Sequence, residues 1–218
     1  SKGMADFYKR RWNTDSTLIE YGAYVKKSSN INILDDFKLT KENFFLQITR
    51  FEPENNPLLT INAFKQFKLE NPDSNLKLII IGDVPYNSKY SVSIKNEMRE
   101  DIILPGYIYN IKILTELRAN SLAYVHGNQV GGTNPALLEA MGSHAFIIAR
   151  SVNFNHEVLG KGGIYYENDI DSLKNCFNLV YLKRVDRIKA IDFCVNKVKI
   201  YYNWDRIAQK YREMIEKL

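Results

Sequence analysis

The sequence predicts an α/β domain, a Rossmann-like parallel sheet flanked by helices, and three observations predict it. From Asn43 onward, apolar runs alternate with amphipathic stretches. Runs such as residues 76–81 are too short for helices and rich in β-branched residues, as strands are. Their ends are marked by turn formers, Gly82-Asp83 after one and Pro105-Gly106 after another. Strand–helix alternation of this kind means parallel strands joined by right-handed crossovers, and strands covered on both faces read as unbroken apolar runs.

Residues 1–12 have helical character, and residues 16–25 form a short β-prone run punctuated by Gly22. Residues 26–42 pass through Lys26-Lys27-Ser28-Ser29-Asn30 and Asp35-Asp36 with little periodicity, and are expected to be a linker or crossing segment. The domain proper is expected over residues 43–202. Its first strand is Phe44-Phe45-Leu46-Gln47-Ile48-Thr49. Residues 57–70 follow as a helix: Pro57 suits a first turn, Leu58, Leu59, Ile61, Phe64 and Phe67 recur at helical spacing, and Asn71-Pro72 ends it. Residues 76–81 are the second strand. The alternation continues with a polar helix around 91–99, a strand at 102–104, a helix at 111–120 and a strand at 122–126. A helix at 134–141 opens behind a glycine pair, and strands follow at 146–149 and 163–166. Three helices, roughly 169–182, 185–202 and 204–218, close the chain.

With 218 residues and 45% hydrophobic content the chain can bury one full core. The net charge of +5 suits a phosphate-bearing ligand or an anionic membrane face. The excess is spread along the chain, with short clusters such as Lys9-Arg10-Arg11, so no nucleic-acid surface is expected. Cys176 and Cys194 stand far apart without CxxC spacing or a matching histidine pattern, and are read as buried reduced thiols. No apolar run reaches the roughly 18 residues of a membrane span. The start, Ser1-Lys2-Gly3-Met4, lacks the apolar stretch of a signal peptide, so the expected compartment is the cytoplasm.

Ligands of open parallel sheets bind beyond the carboxyl ends of the strands. Those places hold Thr49-Arg50, Gly82-Asp83, Pro105-Gly106-Tyr107 and His126 through Asn134. In the last, Gly131 and Gly132 remove side chains where a phosphate could approach the backbone. The following helix start offers N–H groups and a positive dipole end. Glu139, one to two turns into that helix, could accept hydrogen bonds from ribose hydroxyls. The alternative is an ordinary glycine loop and a solvated glutamate, and spacing does not separate the two. Arg50 could engage a diphosphate bidentately and stabilise a leaving group, or could be a surface arginine paired with Glu52 or Glu54. His126 could touch a ligand or be a hydrogen-bonded structural histidine, and His144 reads as surface. Asn153-Phe154-Asn155 reads as a loop leading to His156 and Glu157, and neither of those two is assigned a catalytic role.

These residues resemble the family-4 retaining glycosyltransferases of the two-domain GT-B fold, over nearly the whole chain. The matching motifs are Thr49-Arg50 with Pro53-Glu54-Asn55-Asn56, Ile81-Gly82, Leu104-Pro105-Gly106-Tyr107, and Leu137-Leu138-Glu139-Ala140-Met141. Gly131-Gly132-Thr133-Asn134-Pro135 is similar to rhamnosyltransferase-like enzymes of cell-surface polysaccharide synthesis. Two positions depart: the family's first signature glutamate falls on Gly131, and its phosphate-binding lysine on Asn55.

The resemblance implies the C-terminal, nucleotide-sugar-binding domain of a GT-B enzyme. Residues 1–25 would be a remnant of the N-terminal acceptor domain, 26–42 the interdomain linker, and 203–218 a helix returning towards that domain. It assigns catalytic roles to Arg50 and Glu139. Donor binding falls to Gly82, Tyr107 and Ile108 near the base, Gly131, Gly132, Thr133 and Asn134 at the diphosphate, and Glu139 at the ribose. The donor substrate would be a nucleoside-diphosphate sugar, with no cofactor and no metal, carrying a hexose or deoxyhexose such as rhamnose. A glycan or lipid-linked acceptor would be held by the other domain. Peripheral association of the full-length enzyme with the inner face of the membrane is the remaining expectation.

Overall fold

The computed structural model describes residues 2–216. Among them, strands β1 (Phe44–Ile48), β2 (Lys77–Ile81), β3 (Ile102–Gly106), β4 (Ala123–His126), β5 (Ile147–Arg150) and β6 (Gly163–Tyr166) form one six-stranded sheet. Every neighbouring pair is parallel, and the order is β3-β2-β1-β4-β5-β6. The chain winds outward from β1 to β3, returns to the middle, and winds the other way from β4 to β6. Beside the sheet lie α2 (Pro57–Glu70), α3 (Lys89–Lys95), α4 (Ile111–Asn120), α5 (Pro135–Gly142), α6 (Asn153–Leu159), α7 (Ile170–Tyr181), α8 (Arg187–Tyr201) and α9 (Trp204–Ile215), with α1 (Lys2–Trp12) at the start. The α/β fold that the sequence predicts is the one observed.

Alternation along the strands sends side chains to two cores, one per face. Phe45, Leu78, Ile80, Val125 and Ile148 meet α2 and α7 on one face, where Phe45 stacks on Phe177 at 4.3 Å between centroids and Phe64 and Phe67 close round them. Phe44, Leu46, Ile79, Tyr124 and Ile147 face Leu117 of α4, Leu137 and Met141 of α5, and Val198 of α8. With both faces covered, the strands have no polar side to show in sequence, which is why they read as continuous apolar runs.

Several elements differ from expectation. Residues 16–25 form no strand: both edges of the sheet belong to β3 and β6, and this stretch instead crosses in extended form. It is held there by Ala23 N–H donating to Tyr202 O (2.7 Å), Lys26 N–H to Gly142 O (2.9 Å), and a Lys210–Glu20 ion pair of 2.5 Å. Gly22 lies against the Trp204 indole, whose ring atoms come within 2.5 Å of where a Cβ would sit. Within residues 26–42 a 3-10 turn, Ile31–Phe37, buries Leu34, and Leu39 follows it into the core. Glu116 of α4 secures this segment by accepting from Ser28 Oγ (2.6 Å), Ser29 N (2.5 Å) and Asn30 N (2.9 Å). Burial alone would raise the pKa of Glu116, yet these hydrogen bonds outweigh it and hold the carboxyl below its ordinary range.

Residues 153–155 start α6 and are not a loop; Val152 gives no side-chain cap and the helix is short, so little in the sequence marks it. The polar helix expected at 91–99 is α3, which begins earlier because Ser88 and Ser91 make a reciprocal capping box. The last expected helix runs to Ile215, and Lys217 and Leu218 lie outside the described residues.

Candidate functional site

The direction of winding reverses between β1 and β4, the crevice where open α/β sheets take their ligands. Two loops meet there, residues 49–56 after β1 and 127–134 after β4. They are tied together at several points. Asn56 Nδ2 donates to Gly127 O (2.8 Å), Gln129 N to Glu54 O (3.0 Å), and Asn128 Nδ2 to Asn55 Oδ1 (2.7 Å). Gly127 is needed for this approach, since a Cβ there would stand 2.2 Å from Asn55 O. Asn155 extends the tie to β5, donating to Asn128 O (3.2 Å) and Arg150 O (2.9 Å). Asn55 is therefore a buried brace, with its own amide also donating to Arg50 O (3.2 Å).

Arg50 is exposed at the lip of this crevice. Among the described residues no ion pair engages it, and Glu52 instead accepts from the Tyr86 hydroxyl. The pairing with Glu52 or Glu54 that the sequence allowed is absent, and the guanidinium is left for solvent or a ligand. In the second loop, the backbone N–H groups of Gly131, Gly132, Thr133 and Asn134 donate to no described residue. Successive backbone N–H groups left without an acceptor are of the kind that can receive an anion. The terminus of α5 adds less than the sequence implied: Asn134 Oδ1 accepts from Ala136 N (2.9 Å) and Pro135 has no N–H to give. Gly131 holds φ +130, a backbone that a glutamate would adopt only under strain, and open space surrounds its α-carbon.

Glu139 lies one turn further, on the side of α5 that faces α4. Its Oε2 receives a hydrogen bond of 2.6 Å from Nη2 of Arg118, whose side chain is 2% exposed against 41% for Glu139. Nε and Nη1 of Arg118 are buried without a described partner. Tyr124 lies behind the pair; burial pushes its hydroxyl up to about 12, and it donates weakly to Ile48 O at 3.5 Å. In front, Glu139 opens on a groove of about 240 Å³ lined by Ile111, Thr115 and Arg118 of α4, Ser143, and Tyr24 with Trp204 from the crossing segments. The groove continues along α4 past Lys26, Lys27 and Lys112, where the local charge is positive.

A model of the family described as glycosyl transferases group 1 matches residues 31–191. The chain belongs to that family. Solved structures carry the same fold. A glycosyltransferase from Rickettsia africae superposes with a TM-score of 0.79 at 14% identity, covering 100% of this chain and 62% of that one. Sucrose-phosphate synthase from Thermosynechococcus elongatus gives 0.76 at 17% identity, with 98% and 57% covered. The pneumococcal O-GlcNAc transferase GtfA, solved with UDP and GlcNAc, gives 0.73 at 16%, with 99% and 43% covered. The chain thus spans less than two thirds of each of these proteins, and the sheet is the Rossmann-like one of GT-B glycosyltransferases. No curated protein matches the sequence.

In this group 1 domain the remaining expected residues are dispersed round the same edge. Gly82 ends β2 beside the first loop, with φ +136 and so near Thr49 that a Cβ would lie 1.8 Å from its carbonyl oxygen. Tyr107 is exposed and stacks on Tyr109 at 5.8 Å, while Ile108 is half-buried against the α4 face. Both lead through Asn110, the cap of α4, to Ile111 in the groove. His126 does not reach the crevice: it is 1% exposed, stacks on Tyr124, and leaves Nε2 buried without a partner among the described residues. His144 is not a surface residue, because Nε2 is enclosed, the backbone is left-handed (φ 61), and burial with Lys27 and Lys199 nearby lowers its pKa. His156 stacks on Tyr165 at 3.9 Å and meets Ser151 Oγ at 3.1 Å. Two buried cations carry no mark in the sequence. Arg118 resembles any polar residue of an amphipathic helix, and Arg150, 8% exposed over the Tyr166 ring with Nε and Nη1 lacking a described partner, merely ends an apolar strand. Among the described residues no helix is long and apolar enough to cross a membrane.

Proposed function

We propose that this domain binds a nucleoside-diphosphate sugar along the carboxyl edge of its sheet and serves as the donor half of a glycosyltransferase. One observation carries the reading: an unpaired Arg50 and four unused amides, Gly131 to Asn134, stand on two loops tied together at the switch of winding, with Glu139 one turn beyond. Cationic and backbone donors there suit a diphosphate, and a carboxylate one turn away suits ribose hydroxyls. Tyr107 and Ile108 are assigned to the base and Gly82 to the floor beside Arg50. That neighbours of the same fold were solved with UDP supports this placement.

In the mechanism proposed, the acceptor hydroxyl attacks the face from which the diphosphate departs and the departing phosphate takes its proton, so that configuration is retained without a metal. Arg50 and the loop amides stabilise the charge gathering on the leaving group. The resemblance to family-4 enzymes of rhamnosyltransferase type makes a hexose or deoxyhexose such as rhamnose the proposed cargo, and a cell-surface glycan or lipid-linked acceptor its destination. Residues 1–25 are assigned to the acceptor half, 26–42 to the crossing, and 203–218 to the return; the full-length enzyme is assigned to the cytoplasmic side of the membrane. Because transfer needs both halves, the 218 residues alone should bind donor and transfer no sugar. A second reading, a nucleotide-binding module without catalysis, is favoured by Asn55 being used as a brace and by Gly131 standing where the family has a glutamate.

Arg50→Ala should lower affinity for a nucleoside diphosphate by about 1.5–3 kcal/mol and leave the bare nucleoside nearly unaffected, since only the former presents charges to the guanidinium. Calorimetry with both ligands checks it, and equal losses for the two would overturn the phosphate role.

A further inference from the structure

We infer that Arg118 sets how Glu139 meets the donor's ribose, by holding one carboxylate oxygen and leaving only the other for a sugar hydroxyl. The inference rests on the proposed ribose role of Glu139. A free carboxylate can accept both hydroxyls of a cis-diol, one on each oxygen. Here Oε2 is committed to Nη2 of Arg118 at 2.6 Å, and the guanidinium it meets is 2% exposed, so that oxygen is turned into the protein. The groove side of the carboxylate is left with Oε1.

The pair has reason to persist when ligand binds. Arg118 is buried, and Nε and Nη1 already lack described partners. The other acid of the helix, Glu116, is taken up by Ser28, Ser29, Asn30 and Asn120. Thr115, one turn before Arg118, spends its hydroxyl on Ile111 O at 2.8 Å. Were Glu139 to turn both oxygens towards a diol, the guanidinium would lose its one acceptor among the described residues and stand as an uncompensated buried charge. Arg118 is thus a positioning residue: it fixes the rotamer of Glu139 and turns Oε2 away from the groove, so that Oε1 is aimed at one ribose hydroxyl more directly than at the other.

The test is calorimetry with the diphosphates of the common ribo- and deoxyribonucleosides, followed by the 2′-deoxy and 3′-deoxy forms of the one that binds best. In the unaltered protein one deoxy form should bind within about twofold of its parent and the other should lose about tenfold or more. Arg118→Met frees the second oxygen, so both deoxy forms should then lose affinity relative to the parent, while Arg118→Lys, which keeps a charge on Oε2, should restore the one-sided pattern. Comparable losses for both deoxy forms in the unaltered protein overturn the inference, and that comparison stands even where Arg118→Met does not fold. Glu139→Gln separates the two levels: unchanged affinity removes Glu139 from the ribose and with it the reading beneath, whereas weakened binding with both hydroxyls felt in the unaltered protein removes only the role of Arg118.

Discussion

His126 is an imidazole in the wrong solvent. Unfolded, it titrates near 6.5; folded, burial pushes it down to about 3. Above pH 6.5 both states are neutral and its contribution to stability is complete. As pH falls below that value, the unfolded chain takes a proton that the folded one refuses, and stability is lost at up to about 1.4 kcal/mol per pH unit until the pH nears 3. His126→Phe keeps a ring against Tyr124 and removes the titration. Between pH 7 and 5 the unfolding free energy of the variant should fall by about 2 kcal/mol less than that of the parent; parallel pH profiles in urea would contradict the burial of a neutral ring.

At the level of the element, the turn after β2 allows little substitution. Gly82 carries φ +136 and rests on the Thr49 carbonyl, so Gly82→Ala meets both a backbone penalty and a collision of 1.8 Å with main chain. A loss of about 3 kcal/mol or more is expected, read as a lower urea midpoint; an unchanged midpoint would mean that the strand ends are not as close as described. Gly131→Ala, equally strained but surrounded by open space, should cost only about 1–2 kcal/mol. Strands were legible in sequence because burial on both faces makes them apolar throughout, as in Leu78-Ile79-Ile80-Ile81. Helix α6 was not, because Val152 gives no cap and Gly160 ends it after two turns. Residues 16–25 have strand composition, but what holds them is Trp204 over Gly22, a contact between residues far apart in the chain. At the candidate site, the placement of Arg50 and the Gly131–Asn134 loop at strand ends was legible, since strand ends announce themselves. The use of Asn55 as a brace and the Arg118–Glu139 pair were not, since each depends on which neighbour a folded side chain meets.

Across the whole molecule, the two thiols report on integrity. Cys176 and Cys194 lie in opposite cores, donate weakly to Tyr165 O and Gly162 O, and are both pushed up to about 12 by burial. Alkylation near pH 8 should therefore be slow in the native protein and should accelerate in step with urea unfolding followed by fluorescence. Fast labelling of either thiol without denaturant would show that one core opens by itself. The sheet order carries a kinetic consequence as well. Strands β2 and β3 each join a neighbour that has just preceded them, whereas β4 must return past both to reach β1, pairing Phe45 with Ala123 and Leu46 with Tyr124. Closing that loop is the costliest of the strand pairings in the sheet, because entropy is spent before any contact repays it. The crevice lies on that very seam, so during refolding the proposed donor site should emerge after most secondary structure has formed, and a nascent chain still lacking β4 would be partly folded and without that crevice.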